Sequence, residues 1–165
     1  MYAQATNIFG GAIERLVRAY EADSDKARDL LQEVHIAMWR SFEIYESRCS
    51  LRTWVYRVAH HIAATHVVKQ RRLKARGLVS IEELDAEPPN DDHERAVNDR
   101  IALERMLRLI QRLRPLDRQL MLLYLEDMDA ATISEITGVS ARNVRNKIYR
   151  IKMILAQRFL GGDGR

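Results

Sequence analysis

The stretch MDAATISEITGVSARNVRNKIYRIKMIL, residues 128–155, has the residue spacing of a helix-turn-helix. Ser134 is small where two helices must approach, Gly138 suits the tight turn, Val144 is a branched apolar residue placed to pack back, and Ser140 offers an oxygen to cap the following helix. Beyond the turn, Val144, Ile148, Ile151 and Leu155 recur on one helical face, while Arg142, Asn143, Arg145, Asn146, Tyr149 and Arg150 fall on the others. Arg pairs bidentately with guanine and Asn with adenine in the major groove, so this outer face suits sequence reading as well as phosphate binding. The bland alternative is a helical hairpin with a solvated basic side. The agreement of cap, turn glycine and apolar pattern favours the DNA-reading motif.

Composition sets the frame for the rest of the chain. Seven glycines and three prolines in 165 residues, with Leu, Ala, Arg and Glu abundant, predict an all-α protein. No stretch has the apolar length of a membrane span and the N-terminus lacks a signal-peptide pattern, which predicts a cytoplasmic protein with no membrane insertion. The single cysteine, Cys49, excludes an intramolecular disulfide and completes no metal cluster. His60, His61 and His66 do not place two imidazoles at i and i+4, so no metal site is expected. With no glycine-rich phosphate loop and no nucleophile in a recognisable setting, neither an enzyme nor a cofactor is expected.

Net charge is +4, but its distribution says more. Residues 1–76 carry 13 basic and 8 acidic side chains, residues 77–99 carry 1 and 8, and residues 100–165 carry 13 and 7. Two basic blocks around an acidic connector predict two polyanion-binding modules on a tether. Pro88, Pro89 and the clustered acids make residues 77–99 the expected linker.

In the first block, Phe9, Ala12, Ile13, Leu16, Val17 and Tyr20 predict an amphipathic helix ending near Glu21. A second helix is expected over residues 25–42, with Leu30, Leu31, Val34, Met38 and Trp39 in the core and Asp29, Gln32, Glu33, Ile36 and Arg40 outside. After a loop at residues 43–50, a long helix over residues 51–72 is expected to bury Leu51, Trp54, Val55, Val58 and Ile62. Its outer side would carry Arg52, Thr53, Tyr56, Arg57, His60, His61, Thr65 and Lys69. Aromatic and basic groups interleaved on one face suit single-stranded or distorted nucleic acid. In the second block a helix from about residue 94 to 113 precedes one opened by Pro115, whose Leu116, Leu120, Leu123 and Tyr124 continue the core.

Two motifs, in this order, resemble the extracytoplasmic-function (ECF) class of bacterial RNA polymerase sigma factors. DLLQEVHIAMWR at residues 29–40 and SLRTWVYRVAHH at residues 50–61 resemble the promoter-melting domain; LRPLDRQLMLLYL with ISEITGVSARNVRNKIYRIK resembles the C-terminal domain. The sequence departs from the family at His61, where asparagine is usual, and at Ser134, where alanine is frequent. The resemblance implies a sigma region 2-like domain at residues 1–76, the linker at 77–99 and a region 4-like domain at 100–165. Asp29, Gln32, Glu33 and Ile36 would dock core RNA polymerase on the clamp helices of its largest subunit. Tyr56, Arg57, His61 and Thr65 would hold the non-template strand of the minus-ten element of promoter DNA. Arg142, Asn143, Arg145, Asn146, Tyr149 and Arg150 would read the minus-thirty-five element. An anti-sigma factor would be a further partner. The rival reading is a transcriptional regulator that binds duplex operators through the same motif, with the N-terminal half serving dimerisation or sensing.

Overall fold

The computed structural model describes residues 1–73 and 99–160, with side chains over residues 1–70 and 103–158. Among these the chain is entirely helical: α1 (Tyr2–Tyr20), α2 (Ser24–Ser41), α3 (Leu51–Leu73), α4 (Asp99–Arg112), α5 (Pro115–Leu125), α6 (Ala130–Thr137) and α7 (Ala141–Leu160). All but Asp99 of the acidic linker, together with Lys74, Arg76 and the start of the helix expected from residue 94, lies outside the described residues.

Local chemistry sets the helix ends. Asp23 caps α2, its Oδ1 accepting from the Asp25 and Lys26 amides at 3.1 Å each. Ser50 does the same for α3, its Oγ accepting from the Thr53 amide at 3.0 Å. Pro115 opens α5, where its missing N–H leaves nothing unsatisfied.

Helices α1–α3 pack as a three-helix group in which Leu30, Val34 and Met38 of α2 are fully enclosed, and truncating Leu30 or Met38 to alanine costs roughly 2 to 5 kcal/mol. Helices α4–α7 form a second group around Ile110, Leu113, Met121, Ile151, Ile154 and Leu155. The larger core crosses from one group to the other. Val55, Tyr56 and Ala59 of α3 belong to the same apolar cluster as Leu120, Leu123, Ile133, Ile136 and Val144.

That crossing core changes several expected faces. Trp39, expected in the core, is 57% exposed, because Leu30, Val34 and Met38 alone line the buried stripe of α2. Thr53, Tyr56 and His60, expected on the solvent side of α3, are buried, Tyr56 to 3% exposure. Helix α3 is covered by α1 and α2 and, on its third side, by α6, so no amphipathic stripe along it describes its burial. In α5, Leu116 is 40% exposed while Asp117 and Arg118 are buried, because the helix turns its first polar residues toward α7 and the N-terminal group.

Candidate nucleic-acid interface

The helix-turn-helix is α6–turn–α7. Asp129 caps α6, its Oδ1 accepting from the Thr132 amide at 2.7 Å, and these hydrogen bonds hold its carboxyl below the usual range. Gly138 takes the left-handed conformation at φ 75°, ψ 1°, and its amide closes the helix on the Ser134 carbonyl at 2.8 Å. A side chain at this position would be strained by the backbone itself. Ser140 then begins α7, its carbonyl accepting from the Val144 amide at 2.9 Å and its Oγ from the Asn143 amide at 3.4 Å.

Val144, Ile148, Ile151 and Leu155 are all buried, which fixes the rotation of α7 about its axis. Two polar contacts, absent from the sequence reading, hold it further. Lys147 Nζ donates to the buried Asp117 carboxylate at 2.8 Å, and Lys152 Nζ donates to the Tyr124 hydroxyl at 2.9 Å while lying 4.9 Å from the ring centroid. Opposite charges 30 residues apart give no periodic signal in the sequence. With the apolar side pinned, Arg142, Asn143, Arg145, Asn146, Tyr149 and Arg150 all lie exposed. The outer face is the one the sequence predicts.

The second basic face, on α3, is arranged differently. Arg57, His61 and Thr65 follow at intervals of four along one exposed stripe. Tyr56 sits a quarter turn away, edge-on to Phe9 at 6.2 Å, with its hydroxyl donating to Glu126 Oε2 at 3.3 Å. Burial and the neighbouring Glu126 carboxylate push its phenol up to about 12. Arg57 Nη2 donates to the Glu135 carbonyl of α6 at 2.6 Å, and Arg52 Nη2 to the Glu126 carbonyl at 2.7 Å. Arg15 of α1, not singled out from sequence, grips both oxygens of the Glu126 carboxylate through Nε and Nη2 at 2.9 Å each. The C-terminal group therefore lies against this face.

The loop before α3 is fixed by aromatics. The Tyr45 and Trp54 rings pack at 5.2 Å, Trp54 Nε1 donates to Ser41 Oγ at 3.0 Å, and the Tyr45 hydroxyl donates to the Cys49 carbonyl at 2.6 Å. Between loop and helix lies a recess of about 400 Å³ lined by Ile44, Tyr45, Trp54 and Arg57, with Glu135 of α6 on its rim.

A buried polar knot joins the two groups. The Tyr20 hydroxyl and His60 Nδ1 are 3.0 Å apart, and burial drives His60 down to about 3, so it stays neutral. Arg118, 1% exposed, stacks its guanidinium 5.1 Å from the Tyr20 ring centroid and donates to the Tyr20 carbonyl at 3.3 Å and the Leu113 carbonyl at 3.0 Å, with a further contact to the Gln111 carbonyl. Burial lowers this guanidinium to about 10, still charged at neutral pH.

On α2, Asp29, Gln32, Glu33 and Ile36 are all exposed as the sequence predicts. Trp39, on the same helix, and Ile44, in the loop beyond it, are further large exposed apolar groups. Among the described residues no group of three or more His, Cys, Asp or Glu side chains is placed to hold a metal ion, and no helix is long and apolar enough to cross a membrane.

Comparison with known proteins joins these faces to one family. Sigma-70 region 2 matches residues 9–73 and sigma-70 region 4 matches residues 103–155, together well over half of the chain. The chain belongs to the sigma-70 family of RNA polymerase sigma factors. Among its relatives is a member of the ECF class: it is 37% identical to the ECF RNA polymerase sigma factor SigX of Bacillus subtilis over 54 residues, one third (33%) of this chain and 28% of that protein. With the RNA polymerase sigma factor SigV of the same organism it shares 26% identity over 82% of this chain and 77% of the relative. In fold it resembles the sigma factor RpoE of Bartonella quintana, crystallised with the anti-sigma factor NepR, at a TM-score of 0.68 and 16% identity over 99% and 98% of the two chains. As a sigma factor it binds core RNA polymerase and promoter DNA and directs promoter-specific initiation; α1–α3 fall in its region 2 domain and α4–α7 in its region 4 domain.

Proposed function

We propose that the three faces divide the work of initiation, as an ECF sigma factor acting in the cytoplasm where polymerase and chromosome meet. The observation that carries this reading is the exposure of all six polar groups of α7 on a helix whose opposite side is pinned by Val144, Ile148 and the Lys147–Asp117 pair. Arg142, Asn143, Arg145, Asn146, Tyr149 and Arg150 read the minus-thirty-five element in the major groove.

Asp29, Gln32, Glu33 and Ile36 dock the clamp helices of the largest polymerase subunit. Ile36 and Trp39, one helical turn apart and both exposed, support a protein partner there, since large apolar groups gathered on one surface mark interaction sites. Arg57, His61 and Thr65, with Tyr56 once uncovered, hold the non-template strand of the minus-ten element. The recess beside Arg57 has room for an unstacked base, and its Tyr45 and Trp54 rings offer stacking partners. The domains run over residues 1–76 and 100–165, tethered by residues 77–99. An anti-sigma factor is the expected inhibitor, a reading supported by the likeness to the RpoE chain crystallised with NepR.

The test is transcription of fragmented genomic DNA by purified core polymerase with and without this chain, with starts mapped. Discrete new starts sharing two unlike upstream elements are the expected result. Starts sharing a single palindromic element would overturn the division of labour.

A further inference from the structure

Four donors of one face, Arg15, Arg52, Tyr56 and Arg57, are satisfied in this structure by acceptors of the chain's own second domain. Two of those acceptors are backbone carbonyls, of Glu126 and Glu135; the third is the Glu126 carboxylate, gripped bidentately by Arg15 and approached by the Tyr56 hydroxyl. Guanidinium and hydroxyl donors, converging from α1 and α3 on the two oxygens of one anion, make an oxyanion site. The planar guanidinium fork meets a carboxylate and a phosphate in the same geometry.

Glu126 is presented to that site by the turn after α5. Its amide closes the helix on the Leu122 carbonyl at 3.1 Å, and Asp127 turns the chain at φ 55°. Most of the Arg15 side chain stays in water, with 64% of it exposed. The Arg15 end of the pair is open to water while the Glu126 side chain is 21% exposed, so another anion can reach the guanidinium once the carboxylate withdraws. Aromatic rings flank the site, Phe9 and Tyr56 lying edge to face. A phosphate bound at Arg15 would set the adjoining bases beside those rings, the combination that holds single-stranded nucleic acid.

We infer that Arg15 and Tyr56 form a backbone-phosphate site for the single strand, and that the Glu126 carboxylate occupies it in the closed chain. The face of α1 and α3 thus has two mutually exclusive occupants, the second domain and the melted strand. Arg15 belongs to the DNA-contacting set although it lies on α1, outside both motifs that carried the sequence reading. The inference rests on the assignment of the α3 stripe to the non-template strand.

The experiment measures binding of the full chain to a fluorescent mixed-sequence single-stranded DNA across a salt series. E126Q keeps the size of the side chain but removes its charge, and is expected to bind severalfold more tightly than the unaltered chain. In the E126Q background, adding R15Q is expected to reverse that gain and to make the slope of log affinity against log salt shallower by about 0.7, the loss of one phosphate contact on a single strand. Circular dichroism melts confirm that each variant is folded, as expected for substitutions that keep the size of each side chain. An unchanged affinity for E126Q, or an unchanged salt slope on adding R15Q while His61→Ala still weakens binding, overturns the inference alone. Binding insensitive to both Arg15 and His61 overturns the strand assignment beneath it as well.

Discussion

On α7 the six polar groups of the outer face stand exposed, whereas on α3 the equivalent mixture of rings and cations is half enclosed, Tyr56 beneath Glu126 and Arg57 tied to the Glu135 carbonyl. Both helices read alike as sequence, basic and aromatic residues interleaved over an apolar stripe. They differ in what covers them. Helix α7 packs inside its own domain against α5 and α6 with its six outer polar residues exposed, while α3 is the surface on which the second domain rests. The lesson is that composition of a face states what it can bind, and the packing of the remainder of the chain states when. A duplex-reading face can stay open in the free protein because duplex promoters are always present. A single-strand-binding face is useful only after melting, and closing it shields cations and rings from unproductive partners.

The junction should be the strongest handle on this difference. Arg118 is enclosed between the domains and bonds to the Gln111 and Leu113 carbonyls at the end of α4 and to Tyr20 across the interface. Removing a charged donor from several buried acceptors is expected to cost about 3 kcal/mol in Arg118→Ala. For a chain of this size that corresponds to a melting temperature lower by roughly 6 to 12 °C. Duplex binding per folded molecule by α7 should stay as it was. A melting temperature within a degree of the unaltered chain would mean that the knot holds nothing together.

On the open side, Arg145→Ala is expected to lose about 1 to 3 kcal/mol of affinity for the minus-thirty-five element if the guanidinium pairs with a base edge. Single-strand binding should not change. An equal loss on duplexes of random sequence would make Arg145 a phosphate contact instead, which a competition titration separates directly.

A further effect is a histidine-borne pH dependence on the closed side, since the five histidines of the chain include none in α4–α7. Burial holds His60 near 3, below its ordinary 6.5, so the unfolded chain takes up this proton first as the medium is acidified. The stability associated with neutral His60 is therefore full above pH 6.5 and lost progressively toward pH 3, at on the order of 1 kcal/mol per pH unit. Urea midpoints at pH 7 and pH 5 should fall further apart for the unaltered chain than for His60→Gln. Equal separations would show that His60 does not carry the acid sensitivity.

Much of this architecture was legible in residue order. The Gly138 turn, the buried Val144–Ile148–Ile151–Leu155 stripe and the exposed Asp29–Gln32–Glu33–Ile36 surface follow from helical periodicity and local caps, signals that depend only on near neighbours. Trp39, Tyr56, His60 and Leu116 were misplaced for the opposite reason: each owes its burial or exposure to packing between distant segments. Tyr56 and His60 have polar tips that mimic a solvent face, yet each finds a buried partner, Glu126 or Tyr20, more than 35 residues away. Arg15 carried no signal at all, because an arginine on the polar side of an amphipathic helix is ordinary until the anion it grips is known.

The packing of the second domain on α3 is open to one direct observation. Cys49, the chain's single cysteine, lines the same recess as Arg57 and Glu135, so a paramagnetic label on its thiol reports on α6 without any added mutation. In the free chain the label is expected to broaden the amide signals of Glu135 and its neighbours, and added single-stranded DNA is expected to restore them. Sharp α6 signals in the free, labelled protein would contradict the closed arrangement and, with it, the contrast between the two faces.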